Sequence, residues 1–315
     1  MDNKDKIDIV VLFVDMNDKE WRNQYEEYIK THEIPIPEIN NVEVRSRDYG
    51  TLKCLLRSID KNMGWVNNVF LVVQSESQVP DWINKDKVRI VLHEDFIPKE
   101  FLPIYNTFTI QTHLHRIKGL SETFIQTDDD SIILRPISPN YFFIPTINGY
   151  KCVHTIQKMD RSNVFGSSSK FSHYFKSGAS EIGKKLLNIK DDFYYQDSHS
   201  MIPMLKSINE EVYGNLDIKT HVSHFREKNN TYRMTFFTYA WFKRKIINVN
   251  VDNAYIDFKN KDINQFRKWL NSNQFKSQIS VNDQDLNPGF DKELYYQMIE
   301  ETLSLLFPNK SKYEI

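Results

Sequence analysis

The sequence predicts an α/β fold in which helices cover both faces of a mostly parallel or mixed sheet. Two observations lead to this prediction: short apolar runs, and helical patterns between them. The runs Ile7 to Val14, Val69 to Val73 and Val88 to Leu92 are almost continuously apolar, as is typical of strands buried on both faces. Between the first two, Leu52 to Met63 repeats its apolar residues at helical spacing. Alternating strands and helices favour parallel pairing.

The composition excludes several classes of protein. The chain has 315 residues, with 40% hydrophobic and 26% charged side chains, which is ordinary for a soluble globular protein. Its formal net charge is -1, from 41 basic and 42 acidic residues, so no global field attracts nucleic acid. Cys54 and Cys152 are the only cysteines, which excludes a disulfide framework and favours a reducing compartment.

No targeting or membrane-spanning segment is visible in the sequence. Met1 to Lys6 is polar, and the apolar run Ile9 to Val14 that follows is far too short to cross a bilayer. We therefore expect a cytoplasmic protein, or one that is peripheral to a membrane through partner proteins.

Three adjacent aspartates, Asp128, Asp129 and Asp130, form the acidic loop. They lie between the apolar runs Phe124 to Thr127 and Ser131 to Leu134, which predicts a strand, a tight loop and a strand. Adjacent carboxylates repel one another unless a cation or donor groups offset them. A hard divalent cation such as Mg²⁺ would do so, and the alternative is a solvated acidic turn.

Asp15 and Asn17 directly follow the first strand. In open α/β sheets, ligands bind just beyond the carboxyl ends of strands, although Asp15 to Asp18 could instead cap the next helix. The natural candidate is a glycosyltransferase A-like, Rossmann-type layer with a metal loop after a central strand. Neither a Gly-x-Gly-x-x-Gly nor a Walker A sequence occurs, so dinucleotide and P-loop chemistry are unsupported.

The second half of the chain is less regular. His199 precedes an apolar-periodic segment that extends to Ile208, and His224 and Arg226 precede an aromatic helix, Tyr232 to Phe242. A lone histidine is more often a cap or a core residue than a catalyst. The guanidinium of Arg226 could bind phosphate or pair with a local acid.

No obvious linker divides the chain, so we expect one catalytic unit over 1–315. Within it, 1–150 is the predicted nucleotide-sugar-binding α/β core. An additional helical, acceptor-side part follows at 151–275, and a C-terminal strand and helix at 276–315 return to the site. His113 and His115 are two apart on a predicted helix, which makes them a poor metal pair.

Taken together, these segments resemble the Stealth family of sugar-phosphate transferases, over most of the chain and in four regions that occur in order. The motifs that carry the resemblance are Ile7 to Asp15, Asn17, Asp18 and Trp21 in the first region; Arg47-Asp48, Leu56 to Ile59, Trp65-Val66, Val79 to Trp82, His93-Glu94, Leu102-Pro103, His113 to Ile117, Gly119 to Ser121 and Asp129-Asp130 in the second; His199, Pro203 and His224 to Arg226 in the third; and Asn282-Asp283, Phe307-Pro308, Ser311 and Glu314 in the fourth. Two features depart from the family pattern: Asp128 stands where an asparagine is usual, and Tyr49-Gly50-Thr51 follows the Arg-Asp pair.

The resemblance implies transfer of a hexose 1-phosphate from a UDP-sugar to a hydroxyl of an oligo- or polysaccharide acceptor. UMP is released and a phosphodiester forms in the synthesis of a capsular or surface polysaccharide. Any association with the inner membrane would then be through other capsule-assembly proteins. The implied cofactor is Mg²⁺ or Mn²⁺. Two alternatives remain: a metal-dependent glycosyltransferase that releases UDP, and a non-catalytic glycan-binding protein on the same fold.

The resemblance also assigns roles to residues. The expected metal ligands are Asp129, Asp130, Asn282 and Asp283. The expected catalytic residues are His199 as the base, Arg226 and Arg47 as phosphate-binding cations, and Asp48. The expected residues for the nucleotide-sugar are Asp15, Asn17, Arg116 and His113. A neutral imidazole near pH 7 suits the role of the base.

Overall fold

A computed structural model of the chain describes residues 6–15, 17–33, 49–160, 170–257, 263–282 and 292–315. The strands are β1 (Ile7–Leu12), β2 (Val69–Val73), β3 (Val88–Leu92), β4 (Thr123–Asp128), β5 (Ser131–Ile133), β6 (Phe143–Thr146), β7 (Gly149–His154), β8 (Ile156–Asp160), β9 (Phe193–Asp197), β10 (Ile202–Leu205), β11 (Ile246–Asn248), β12 (Asn253–Asp257) and β13 (Gln278–Asn282). The α-helices are α1 (Lys19–Thr31), α2 (Thr51–Asn62), α3 (His93–Phe96), α4 (Thr107–His113), α5 (Lys170–Lys185), α6 (Lys206–Gly214), α7 (Arg233–Phe242), α8 (Ile263–Asn273) and α9 (Lys292–Leu306).

The central layer is a five-stranded sheet with the order β10-β4-β1-β2-β3. β1 pairs in parallel with both β2 and β4, and β2 pairs in parallel with β3, whereas β10 runs antiparallel to β4. The chain leaves β1 toward β2 on one side and returns to β4 on the other. The carboxyl ends of β1 and β4 therefore form the switch point where ligands bind in such sheets. The predicted α/β fold with a Rossmann-type layer and a mixed sheet is confirmed.

Apolar residues hold this layer together, with one charged exception. Every residue of β1 is buried, and the buried face of α2 packs into the same core. The exception is Asp8, whose buried carboxylate accepts hydrogen bonds from the side chains of Asn67 and Asn68 and from the N–H of Ser121, each at 2.8 Å. Since these donors satisfy the carboxylate, Asp8 ties together the amino ends of β1, β2 and β4.

The acidic loop joins the main sheet to a second one. β5 pairs antiparallel with β13, and β13 pairs in parallel with β12, which gives the three-stranded order β12-β13-β5. Helices α8 and α9 pack on this sheet through Phe266, Leu270, Ile299 and Leu303. Because β4 ends at Asp128 and β5 begins at Ser131, the predicted strand, loop and strand are confirmed.

The segment 151–275 contributes strands as well as helices. β8 pairs with β9, β11 extends the sheet of β6 and β7, and β10 lies at the edge of the main sheet. The apolar-periodic segment after His199 begins with β10, and α6 follows only from Lys206. Pairing of Ile202–Leu205 with β4 is a long-range contact that a local pattern cannot reveal.

Helices α5 and α7 pack closely beside the switch point. A Cβ at Gly183 of α5 would lie 2.5 Å from the carbonyl oxygen of Thr235, so only glycine allows this approach. The contact fixes the start of α7, where Arg233 lies, next to β9. Of the helices in the described ranges, none is both long and apolar enough to cross a membrane.

Candidate active site

The acidic loop lies at the switch point of the sheet, because Asp128 at the end of β4 pairs with Leu12 of β1. Each of its three carboxylates contacts a different segment of the chain. Every aspartate therefore has a donor of its own, which lowers the cost of placing three like charges side by side.

His199 contacts the last of the three aspartates. Its Nε2 atom lies 3.0 Å from Asp130 Oδ2. The carbonyl of His199 accepts hydrogen bonds from Ser280 Oγ at 3.1 Å and from Asn253 Nδ2 at 2.9 Å. The imidazole meets the Tyr255 ring edge-on, with 5.0 Å between the centroids. Since the His199 side chain is 34% exposed, its position is fixed while the ring stays accessible to a substrate.

Thr51, the first residue of α2, binds the middle aspartate. Its hydroxyl donates a hydrogen bond to Asp129 Oδ2 at 3.0 Å. The helix can begin there because Gly50 adopts a φ of 83°, a conformation that strains residues with a Cβ. A Cβ at Gly50 would also lie 2.7 Å from the side chain of Glu300.

Arg233, the first residue of α7, binds the first aspartate. Its Nη1 lies 3.3 Å from Asp128 Oδ2, and its Nε lies 3.1 Å from Asp197 Oδ2. Lys176 Nζ also approaches Asp197, at 3.3 Å. Burial alone would raise the pKa of Asp197, but the positive charges of Lys176 and Arg233 lower this pKa to about 2. Burial alone would lower the pKa of Arg233, but Asp197 and Asp128 raise it above its usual value.

Thr51, Asp197 and Arg233 were not identified from the sequence as site residues. Arg233 stands in the otherwise uncharged helix RMTFFTYAWF, and Asp197 ends the aromatic strand FYYQD. A charge in a buried element needs a partner, so this pattern could have suggested the pair. Thr51 carries no such signal, because threonine is common at the start of helices.

Asn282 reaches the same edge of the molecule from β13. The N–H of Val281 donates to the carbonyl of Asp130 at 2.9 Å, so Asn282 lies one residue beyond this contact. Its amide donates to the Tyr255 hydroxyl at 2.8 Å. Its role as a metal ligand stays a prediction. Three further predicted site residues lie outside the described residues: Arg47, Asp48 and Asp283.

Arg226 lies in the loop that packs on the start of α4. Its Nη2 donates to Thr107 Oγ1 at 3.0 Å, and its guanidinium lies 5.2 Å from the centroid of Phe108. Phe108 stacks on Tyr232 with 4.4 Å between the centroids, and Tyr232 directly precedes Arg233. Arg226 therefore lies on the side of the site where α7 begins, and its role as a phosphate-binding cation stays a prediction.

Asp15 and Asn17 lie just beyond β1. The N–H of Asp15 donates to Gln78 Oε1 at 2.8 Å, and Gln78 Nε2 donates back to the carbonyl of Asp15 at 2.9 Å. The carboxylate of Asp15 accepts the N–H of Asn17 at 2.8 Å. The residue that caps α1 is Asp18, whose side chain accepts the N–H of Glu20. The helix-cap alternative therefore applies to Asp18. The hydrogen bonds of Asp15 instead stabilise the loop at the switch point.

His113 and Arg116 contact other elements. His113 is fully buried, its Nδ1 lies 2.7 Å from the carbonyl of Thr109, and burial lowers its pKa to about 4. Arg116 Nε donates to the carbonyl of Phe96 at 2.8 Å. Both side chains also pack against the Tyr213 ring of α6. These contacts have structural effects, and the role of the two residues in binding a nucleotide-sugar stays a prediction.

A cavity of about 270 Å³ opens at the carboxyl ends of β2 and β3. It is lined by Gln74, His93, Glu94, Leu102, Pro103 and Ile104. Burial lowers the pKa of His93 to about 3, so its imidazole is neutral near pH 7. Within the described part of the chain, His93 Nδ1 has no hydrogen-bond partner.

The acidic loop suits a divalent cation that is shared with a substrate. No group of three or more His, Cys, Asp or Glu side chains in the described ranges is arranged to hold an ion by itself. Mg²⁺, however, is commonly held by one or two carboxylates together with substrate phosphates. An ionised carboxylate has about four acceptor sites, so the hydrogen bonds from Thr51 and His199 do not exclude a cation at Asp129 and Asp130.

Known proteins match the chain in sequence and in structure. Residues 45–150 match Stealth protein CR2, conserved region 2. The chain is 30% identical to a receptor polysaccharide phosphotransferase of Streptococcus gordonii over 99% of each chain. It is 39% identical to a capsular polysaccharide phosphotransferase of Streptococcus thermophilus, over 44% of this chain and 58% of that relative. The crystal structure of the galactosyltransferase LgtC with donor and acceptor sugar analogs matches over 96% of both chains, with 10% identity and a TM-score of 0.39.

The sequence relatives indicate a class of protein, since those of Streptococcus gordonii and Streptococcus thermophilus are both named polysaccharide phosphotransferases. The chain belongs to the Stealth family. The chain spans 58% of the length of the Streptococcus thermophilus relative. Its activity, donor, product and acceptor are therefore matters for proposal.

Proposed function

We propose that the chain transfers a hexose 1-phosphate, such as N-acetylhexosamine 1-phosphate, from a UDP-sugar to a hydroxyl of an acceptor saccharide. The reaction would release UMP and form a phosphodiester in the synthesis of a capsular or other surface polysaccharide. The observation that carries the proposal is the contact of His199 with Asp130 at the switch point of the sheet, in a family whose relatives are named polysaccharide phosphotransferases.

His199 is the proposed general base. When its Nε2–H donates to Asp130, its Nδ1 keeps a lone pair that can accept a proton. The carboxylate also stabilises the imidazolium that then forms. The acceptor hydroxyl gives its proton to His199 while its oxygen attacks the sugar-bound phosphorus, and the bond from that phosphorus to the oxygen of UMP breaks. A base of this kind contributes about 10² to 10⁴ in rate.

The charge on the transferring phosphoryl group must be offset, because most catalysis of phosphoryl transfer lies in positioning and electrostatics. Arg226 is the proposed cation, since a guanidinium fork matches two phosphate oxygens. Asp129 and Asp130 would hold Mg²⁺ or Mn²⁺, with Asn282 and Asp283 as further oxygen ligands. The ion would offset charge on the pyrophosphate.

The donor would extend from the switch point, where its pyrophosphate would lie, to the cavity at β2 and β3, which would hold its nucleobase. Neighbouring strands lie about 4.8 Å apart, so the cavity is two to three strand spacings, roughly 10 to 15 Å, from the acidic loop. This separation accommodates the nucleobase in the cavity and the pyrophosphate at the acidic loop. The polar lining residues Gln74 and Glu94 support a nucleobase in the cavity. Asp15 and Asn17 follow β1, between the cavity and the acidic loop.

The test is incubation of the protein with a panel of UDP-sugars, Mg²⁺ and a saccharide acceptor. We expect release of UMP and a phosphodiester signal in the ³¹P NMR spectrum of the product. Release of UDP with formation of a glycoside would instead show a metal-dependent glycosyltransferase. Binding without turnover would show a glycan-binding protein.

A further inference from the structure

We propose that Arg233 is a positioning residue that holds the acidic loop and the loop of His199 at the separation that transfer requires. The proposal rests on the proposed function, because that function gives Asp130 and His199 their roles. Arg233 itself is assigned no contact with substrate. It acts through the two segments that it joins.

The geometry consists of two parallel links between the same two segments. Asp130 and His199 form one link, at 3.0 Å. The second link lies two residues earlier on each segment, where one guanidinium contacts Asp128 at 3.3 Å and Asp197 at 3.1 Å. A single contact would allow the loops to pivot about it. The second contact removes that freedom.

Burial makes the Asp197 end of this second link rigid. The Asp197 side chain is 0% exposed and that of Arg233 is 10% exposed. Separating such a pair would leave an uncompensated charge away from water, which is strongly unfavourable. The backbone adds to the restraint, since the N–H of Arg233 donates to Gln111 Oε1 at 3.2 Å and the N–H of Asp197 donates to Met234 Sδ at 3.2 Å.

Arginine is needed at this position for its shape as well as for its charge. Its planar guanidinium directs its nitrogens differently, so Nη1 donates a hydrogen bond to Asp128 while Nε lies 3.1 Å from Asp197 as an ion pair. The ammonium of lysine is a compact point charge without a fixed fork. The Arg233→Lys variant should therefore keep the positive charge beside Asp197 and lose the fixed contact with Asp128.

Lys176 supplies a matched control. It pairs with the same buried Asp197 at 3.3 Å, and its own side chain is 14% exposed. In the described part of the chain, its ammonium group contacts Asp197 and not the acidic loop. The Lys176→Met variant therefore removes a positive charge beside Asp197 and leaves the link between the two loops intact.

The experiment combines spectra and kinetics on the full chain. The protein is labelled with ¹⁵N-histidine, and the His199 ring signals are identified by their loss in His199→Ala. We expect Arg233→Lys to shift these signals and to lower kcat by about 10²-fold with KM for the donor unchanged, since misplacement by about 1 Å can cost this much. Lys176→Met should leave both the spectrum and kcat as in the unmodified protein.

Two results would overturn the proposal. One is an unchanged His199 spectrum in Arg233→Lys. The other is an equal change of spectrum and kcat in Arg233→Lys and Lys176→Met, as a general loosening around Asp197 would produce. Because the spectra need no substrate, they decide whether Arg233 controls His199 even if no UDP-sugar yields UMP. That last result would count against the proposed function alone.

Discussion

Two arginines join distant segments of this chain, and they do so in different ways. Arg57 of α2 binds Glu314 through Nε and Nη2, at 2.9 and 2.8 Å, and donates from Nη1 to the carbonyl of Phe307 at 2.9 Å. Arg233 divides its contacts between the buried Asp197 and Asp128, whose side chain is 31% exposed. The first arginine satisfies one carboxylate completely. The second reaches from the interior to the edge of the site.

The difference indicates which kind of property each region controls. In the C-terminal tail, residues 307–315, the N–H and hydroxyl of Ser311 also donate hydrogen bonds to Glu314 Oε1, at 2.8 and 3.0 Å. The carboxylate of Glu314 therefore has its hydrogen-bond donors within the protein. Around the acidic loop, the contacts hold carboxylates and an imidazole that remain partly exposed. Substitutions in the tail should therefore reduce stability, and substitutions around the acidic loop should reduce activity.

The largest expected effect is on catalysis, from His199→Ala. We expect kcat to fall by about 10² to 10⁴, as for the loss of a general base, with donor affinity retained. The free energy of unfolding should fall by only about 1 kcal/mol, because one partly exposed hydrogen bond is lost. UMP release, calorimetric titration with the donor and urea unfolding measure the three quantities.

The control for this prediction is His32→Ala, which changes an exposed histidine at the end of α1 and should leave kcat unchanged. A large loss of donor affinity in His199→Ala would contradict the role of His199 as the base.

The next effect is on stability, from Arg57→Met. This change leaves the carboxylate of Glu314, which is 3% exposed, without its guanidinium, and breaking a buried pair in this way costs about 3 to 5 kcal/mol. Urea unfolding should show that loss, while kcat per folded molecule stays constant. The double variant Arg57→Met/Glu314→Gln should recover part of the stability. A fall in kcat of the folded protein would place the tail in the catalytic machinery.

The same pair predicts a dependence of stability on pH. Burial alone would raise the pKa of Glu314, but hydrogen bonds from Arg57 and Ser311 lower it from 4.5 to about 2. A carboxyl with a depressed pKa in the folded state contributes stability that is complete above its unfolded pKa and is lost as the pH falls through the folded value. We therefore expect the stability advantage of the unmodified protein over Glu314→Gln to shrink between pH 4.5 and about 2, measured by urea unfolding at each pH. A constant advantage over this range would show that the pKa of Glu314 is not depressed.

Much of the fold followed from local sequence, whereas the partners within the site did not. The apolar run of β1 and the position of the acidic loop after β4 were predictable, because burial on both faces and clustered charge leave a pattern in neighbouring residues. The contact between Arg57 and Glu314 spans 257 residues, and the one between Arg233 and Asp128 spans 105. Periodicity describes neighbours along the chain, and it carries no information about which distant donor a carboxylate will meet.

The smallest expected effect comes from Thr51→Ala, which tests whether the acidic loop and the C-terminal tail differ within a single helix. Thr51 and Arg57 both belong to α2, but Thr51 faces the acidic loop at its hydrogen bond to Asp129, whereas Arg57 faces the tail. Thr51→Ala removes one hydrogen bond, so kcat/KM should fall roughly fivefold, the equivalent of about 1 kcal/mol, and Thr51→Ser should restore it. Urea unfolding should show a change far below that of Arg57→Met. If Thr51→Ala instead cost several kcal/mol of stability and left kcat/KM intact, α2 would be a structural helix along its whole length, and the division between an active edge and a stabilising tail would fail.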